Sequence, residues 1–74
     1  ETLERELAFY VKEKKIKEFI LRTSPILAAY LTKGLLSIRY KWSRKYGCTI
    51  KVIGDTDYSI IKTRWFDRKG DPLD

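Results

Sequence analysis

The chain has 74 residues, 43% hydrophobic and 35% charged, which fits one small folded domain and excludes both a second core and a charge-rich disordered tail. Sixteen Lys and Arg against ten Asp and Glu give a formal net charge of +6, a balance that points to an anionic partner. One cysteine, Cys48, and no histidine exclude an intramolecular disulfide and the usual zinc ligand sets, while no apolar run approaches the about 18 residues of a membrane span; a cytoplasmic domain with no membrane partner is expected.

In chain order, Thr2 is placed to cap a first helix in which Leu3, Leu7, Tyr10 and Val11 make one apolar stripe, with glutamates near its start, lysines near its end and a stop near Lys15. Phe19-Ile20-Leu21 is an apolar run too short for a helix, and predicts a central strand covered on both faces. Ser24-Pro25 opens a second helix, Ser24 as cap and Pro25 at the first helical position. Leu27, Leu31, Leu35, Ile38, Trp42 and Tyr46 recur at steps of three or four and form its core face. Gly34 interrupts that run, so a break or kink is expected at Lys33-Gly34, and Gly47 is the expected left-handed stop.

From Cys48 the period becomes two, with Ile50 and Val52 on one side of a strand and Thr49, Lys51 and Ile53 on the other. Gly54-Asp55-Thr56-Asp57 is turn chemistry, and Tyr58 to Phe66 reads as a returning strand with Ser59, Ile61, Thr63 and Trp65 on one face and Ile60, Lys62, Arg64 and Phe66 on the other, completing a hairpin. A further turn at residues 67–71 leads to a tail, Pro72-Leu73-Asp74. The fold class expected is α+β: two helices packed on a three-stranded mixed sheet, in the order helix, strand, helix, strand, strand, as a single domain over residues 1–74. A core this small supplies only about 3–5 kcal/mol, so support from a partner surface is expected. Without a methionine, the chain is expected to be a segment of a larger polypeptide.

Charge is segregated. No acidic residue lies between Glu18 and Asp55, an interval that holds Arg22, Lys33, Arg39, Lys41, Arg44, Lys45 and Lys51. On the second helix Lys33, Arg39, Lys41, Arg44 and Lys45 are therefore candidate contacts to an RNA backbone, with Tyr40 among them to stack on a base. Leu36, Tyr40 and Ser43 form a narrower stripe away from the core arc and are candidates for contact with another subunit or domain. Asp55, Asp57, Asp67 and Asp71 sit where turns are needed, so no metal site is assigned; no nucleophile and base pairing is present, and no catalytic residue is named.

The run Lys17-Glu18-Phe19-Ile20-Leu21-Arg22 before Ser24-Pro25, then Ala28-Ala29-Tyr30-Leu31, Lys33-Gly34-Leu35, Lys41-Trp42, Tyr46, Ile50-Lys51-Val52, Asp55 and Asp57-Tyr58 resembles the C-terminal small domain of the ribonuclease E/G family. The likeness extends from about Leu3 to Asp71 and is closer to the ribonuclease G branch, in its Bacteroidetes-type members, than to ribonuclease E. It implies a parent endoribonuclease that cuts single-stranded RNA in RNA processing and decay with carboxylate-held magnesium, and that shares zinc between subunits through a cysteine pair, both in the large domain upstream. No residue here matches those motifs. The small domain would then be scaffold, its partners the large catalytic domain, further copies of the chain and RNA. The competing reading is an autonomous RNA-binding module, ribosomal or KH-like. No two of Gly34, Gly47, Gly54 and Gly70 have the Gly-x-x-Gly spacing a KH loop needs, and Phe19-Ile20-Leu21 is not an aromatic RNP strand.

Overall fold

The computed structural model describes residues 2–59 and 61–73. The first helix, α1 (Thr2–Glu13), forms on the expected stripe: Leu7 is fully buried, and Leu3, Tyr10 and Val11 pack beside it. Burying a leucine of this kind contributes about 1.5–3 kcal/mol. The helix ends two residues before the expected stop. Lys15 takes a left-handed conformation (φ 59°), and the N–H groups of Lys14 and Ile16 both donate to the Tyr10 carbonyl at 3.2 Å, which satisfies an acceptor the helix end leaves open.

Strand β1 (Glu18–Thr23) follows, then α2 (Pro25–Thr32). Ser24 caps α2 as its sequence requires, its Oγ accepting from the Leu27 N–H at 3.2 Å with Pro25 in the first turn. The expected break occurs. Lys33 is extended, Gly34 has φ +79°, and Ser37 opens α3 (Ile38–Tyr46) by accepting the Tyr40 N–H on its Oγ at 3.1 Å. The long second helix is thus two shorter ones, and the apolar phase does not survive the linker. Leu31 and Trp42 are buried, Leu27, Ile38 and Tyr46 pack around them, but Leu35 is 95% exposed. Its place in the core face was an artefact of carrying one helical period across Gly34. At the other end Gly47 adopts the expected left-handed turn, and its N–H and that of Cys48 both reach the Ser43 carbonyl.

Strands β2 (Thr49–Gly54) and β3 (Thr63–Asp67) complete a mixed sheet of order β2-β1-β3. β1 pairs parallel with β2, placing Phe19 by Ile50 and Leu21 by Val52, and antiparallel with β3, placing Leu21 by Trp65. The α+β class and the element order are those expected, but β2 and β3 do not form a hairpin. Both flank β1, because the connection between them is pinned at the end of β1: Asp55 N–H donates to the Thr23 carbonyl at 2.8 Å, and Thr23 Oγ1 to the Lys62 carbonyl at 3.2 Å. The returning strand is also shorter than its alternation suggested. Tyr58 and Lys62 close turns onto Asp55 and Ser59; Ile60, assigned to that strand, lies outside the described residues.

The core sits on one face of the sheet. Phe19, Leu21, Ile50 and Trp65 meet Leu7, Leu31 and Trp42 from the helices, with the Phe19 and Trp65 rings edge-on at 5.5 Å. The indole N–H of Trp65 is paired, donating to Glu6 at 3.1 Å. Among the described residues β1 is therefore covered on one face only; Ile20 and Arg22 on the other are half-buried, which corrects the expectation of two covered faces. Pro72-Leu73 is not a loose tail, since Pro72 bridges Phe66, the Leu73 N–H donates to the Trp65 carbonyl at 3.0 Å, and Leu73 packs on the core. Asp74 lies outside the described residues.

Candidate functional site

Helix α3 carries most of the candidate RNA contacts, and about 100° per residue separates them into three directions. Tyr40, Lys41 and Arg44 share the outward side. The Arg44 Nη1 donates to the Tyr40 hydroxyl at 3.3 Å, and its guanidinium carbon stands 5.9 Å from the ring centroid, an i, i+4 pair that holds a planar cation against an aromatic ring. Lys41 beside it is exposed. Arg39, half-buried, lies on the Ser43 side. Lys45 turns toward α1, where its Nζ donates to Glu4 Oε2 at 2.9 Å while the Tyr46 hydroxyl donates to the same oxygen at 2.8 Å. These two hydrogen bonds hold the Glu4 carboxyl below its ordinary value, that from Lys45 first, and the bond to Glu4 raises both Lys45 and Tyr46. Lys45 is thus a tie between α1 and α3. Lys33 is in the linker, off the helix on which the others sit.

The candidate contact stripe is rearranged by the same break. Leu36 precedes the Ser37 cap and belongs to the linker, where it is 69% exposed. Tyr40 and Ser43 remain on α3, and Ser43 Oγ is buried without a hydrogen-bond partner. What the structure offers in place of a stripe is a set of exposed apolar side chains: Ile26 and Tyr30, one turn apart on α2, and Leu35 and Leu36 after them in the linker. Ile26, Tyr30 and Leu35 were absent from the sequence-derived contact set. Leu35 had been assigned to the core, and the apolar composition of α2 hid which of its sides faces out.

The turn aspartates act as turn residues. Asp55 Oδ1 accepts the Asp57 N–H and its Oδ2 the Arg22 guanidinium, each at 2.9 Å, and these bonds lower its pKa, the backbone one first. Asp67 Oδ1 accepts from the N–H groups of Lys69 and Asp71 at 2.9 Å. Among the described residues no group of three or more acidic or cysteine side chains is gathered as metal ligands. Burial raises the Cys48 thiol, the wrong direction for a reactive thiolate.

Sequence reasoning also passed over the sheet face away from the helices. There β2, β1 and β3 present Lys51, Ile20 and Phe66 in one cross-strand row and Ile53, Arg22 and Arg64 in the next. The signal was legible, since alternation had already put Arg64 and Phe66 on one side of their strand; what was missing was the neighbour, because a hairpin with β2 would have placed them elsewhere.

Comparison with protein-family models, with curated proteins and with solved structures returns no match to this chain. No helix among the described residues is long and apolar enough to cross a membrane.

Proposed function

We propose that this chain is the C-terminal small domain of a ribonuclease E/G-like endoribonuclease of the cytoplasm. In it the chain organises the assembly, and the cutting carboxylates and their magnesium belong to the large domain. The observation that carries the scaffold role is the exposed apolar side of α2 and its linker. Leu35 and Leu36 are displayed by a linker fixed at both ends, by the left-handed Gly34 and by the Ser37 cap, and apolar clusters of this kind mark contact surfaces. Their partner is the large domain or a second copy of the chain. Tyr40, Lys41 and Arg44 on α3 add a backbone contact to RNA that fades with salt.

The coding stretch ahead of Glu1 tests this reading: it should specify an aspartate-bearing nuclease domain and a Cys-x-x-Cys motif. Magnesium-dependent RNA cleavage by the purified 74-residue chain would overturn it. The autonomous RNA-binding module is the second reading, favoured by the outward Tyr40–Arg44 pair, and tight binding of short RNA by α3 alone, with no association of the apolar side, would select it.

A further inference from the structure

Leu35 and Leu36 stand side by side in the chain, 95% and 69% exposed, and the backbone that carries them is held in one shape. Gly34 before them has φ +79°, and a Cβ added there would meet nothing within 4 Å. No packing neighbour demands that glycine; the left-handed backbone does. Beyond the pair, Ser37 Oγ accepts the Tyr40 N–H at 3.1 Å and starts α3. An apolar pair on a fixed linker has little ordering left to lose when a partner covers it.

The charge around the pair has one sign. Lys33 precedes it, Arg39 follows it, and no acidic residue lies between Glu18 and Asp55. Neither cation is ion-paired with a described residue. The chain's own carboxylates do not supply the complement, since Glu4, Glu6, Glu18, Asp55 and Asp67 are engaged with Lys45, Trp65, Arg68, Arg22 and turn N–H groups. A second copy docked through the same surface would set cation against cation. A nucleic-acid strand would answer the cations and leave both leucines bare. Even one acyl chain holds a protein to a bilayer only marginally, and two leucines bury less. An acidic, apolar-bearing polypeptide satisfies both features at once.

We propose that Leu35 and Leu36 dock an acidic amphipathic segment of another polypeptide, its apolar side chains over the leucines and its carboxylates toward Lys33 and Arg39. The proposal rests on the scaffold reading in taking these leucines as a contact surface, and adds the chemistry of what covers them.

Panning a displayed library of random hexadecapeptides on the 74-residue chain, with the chain carrying Leu35→Asp and Leu36→Asp as counter-selection, tests it. Enriched peptides should combine leucine, isoleucine or phenylalanine with a net negative charge. The commonest of them, labelled for fluorescence anisotropy, should bind the double leucine variant at least about tenfold more weakly than the parent chain. Lys33→Glu should weaken binding about tenfold at low salt and by less at high salt. The replaced side chains are all exposed, so circular dichroism should match that of the parent. Basic or uncharged enriched peptides, no enrichment over the counter-selected chain, or equal low-salt affinity of Lys33→Glu and the parent would overturn the proposal. So would displacement of the labelled peptide by a uridine decamer or by phosphatidylglycerol vesicles as readily as by unlabelled peptide. Sedimentation equilibrium without peptide separates the two readings: a dimer of the parent chain that the double leucine variant dissolves would assign the surface to a second copy, which overturns this proposal and leaves the scaffold role standing.

Discussion

The two faces of the sheet are made from the same three strands and differ in nearly everything else. On the helix side Phe19, Leu21, Ile50 and Trp65 are each no more than 3% exposed and touch one another; on the other side aliphatic, aromatic and cationic residues alternate and stay half-open to solvent. The first face is fixed by packing density, since a close-packed interior responds to the loss of even one methylene. The second is ordered by strand register together with local pairs such as Arg22 with Asp55.

The largest expected contrast is between neighbours on β1. Leu21→Ala should lower stability by about 2–5 kcal/mol, read as a fall in the urea midpoint, whereas Ile20→Ala on the open face should lower it by less than about 1 kcal/mol; equal losses would mean that the open face is covered in solution. Gly54→Ala is next. A Cβ there would lie 3.0 Å from the Pro25 Cα, a backbone atom that cannot swing away, so overpacking by about 1–3 kcal/mol is expected, and an unchanged midpoint would deny the close approach of α2 to β2. Ser37→Ala should remove about 1 kcal/mol by uncapping α3, visible as a loss of helical circular dichroism.

The smallest effect is in pH. Asp55 and Glu4 have depressed pKa values in the folded chain, so their contribution is fully present above the ordinary carboxylate range and is lost as pH falls through the lower values of the folded state. Both carboxylates are only half-buried at the surface, so solvent screens these interactions. Arg22→Gln should flatten the Asp55 part of that acid limb in urea titrations at stepped pH, and an acid limb identical to that of the parent chain would show that the Arg22 bond does not set it.

How much of this was legible beforehand depended on the range of the interaction. Caps and stops at Ser24, Pro25, Gly34 and Gly47 are local chemistry, and each acts where its residue type demands. A parallel partner for β1 among the two later strands followed from the helical crossover, though not which of them it would be. What failed was non-local: alternation in residues 58–66 gave the faces of β3 but not its partner, because the bonds that send it across β1, from Asp55 and Thr23, join residues far apart in sequence. Leu35 failed for a related reason, since a period fitted through a glycine hides the linker on which this side chain stands. Among candidate site residues, Tyr40, Lys41 and Arg44 emerged together; Lys45 did not, its partner Glu4 lying on another helix.

The central claim is that the apolar side of α2 and its linker organises an assembly. Sedimentation velocity of the intact polypeptide carrying Leu35→Asp and Leu36→Asp tests it most directly, because both side chains are exposed here and their replacement should change stability by less than about 0.5 kcal/mol. A lighter species with an unchanged thermal midpoint is the predicted result; an unaltered sedimentation coefficient would contradict it.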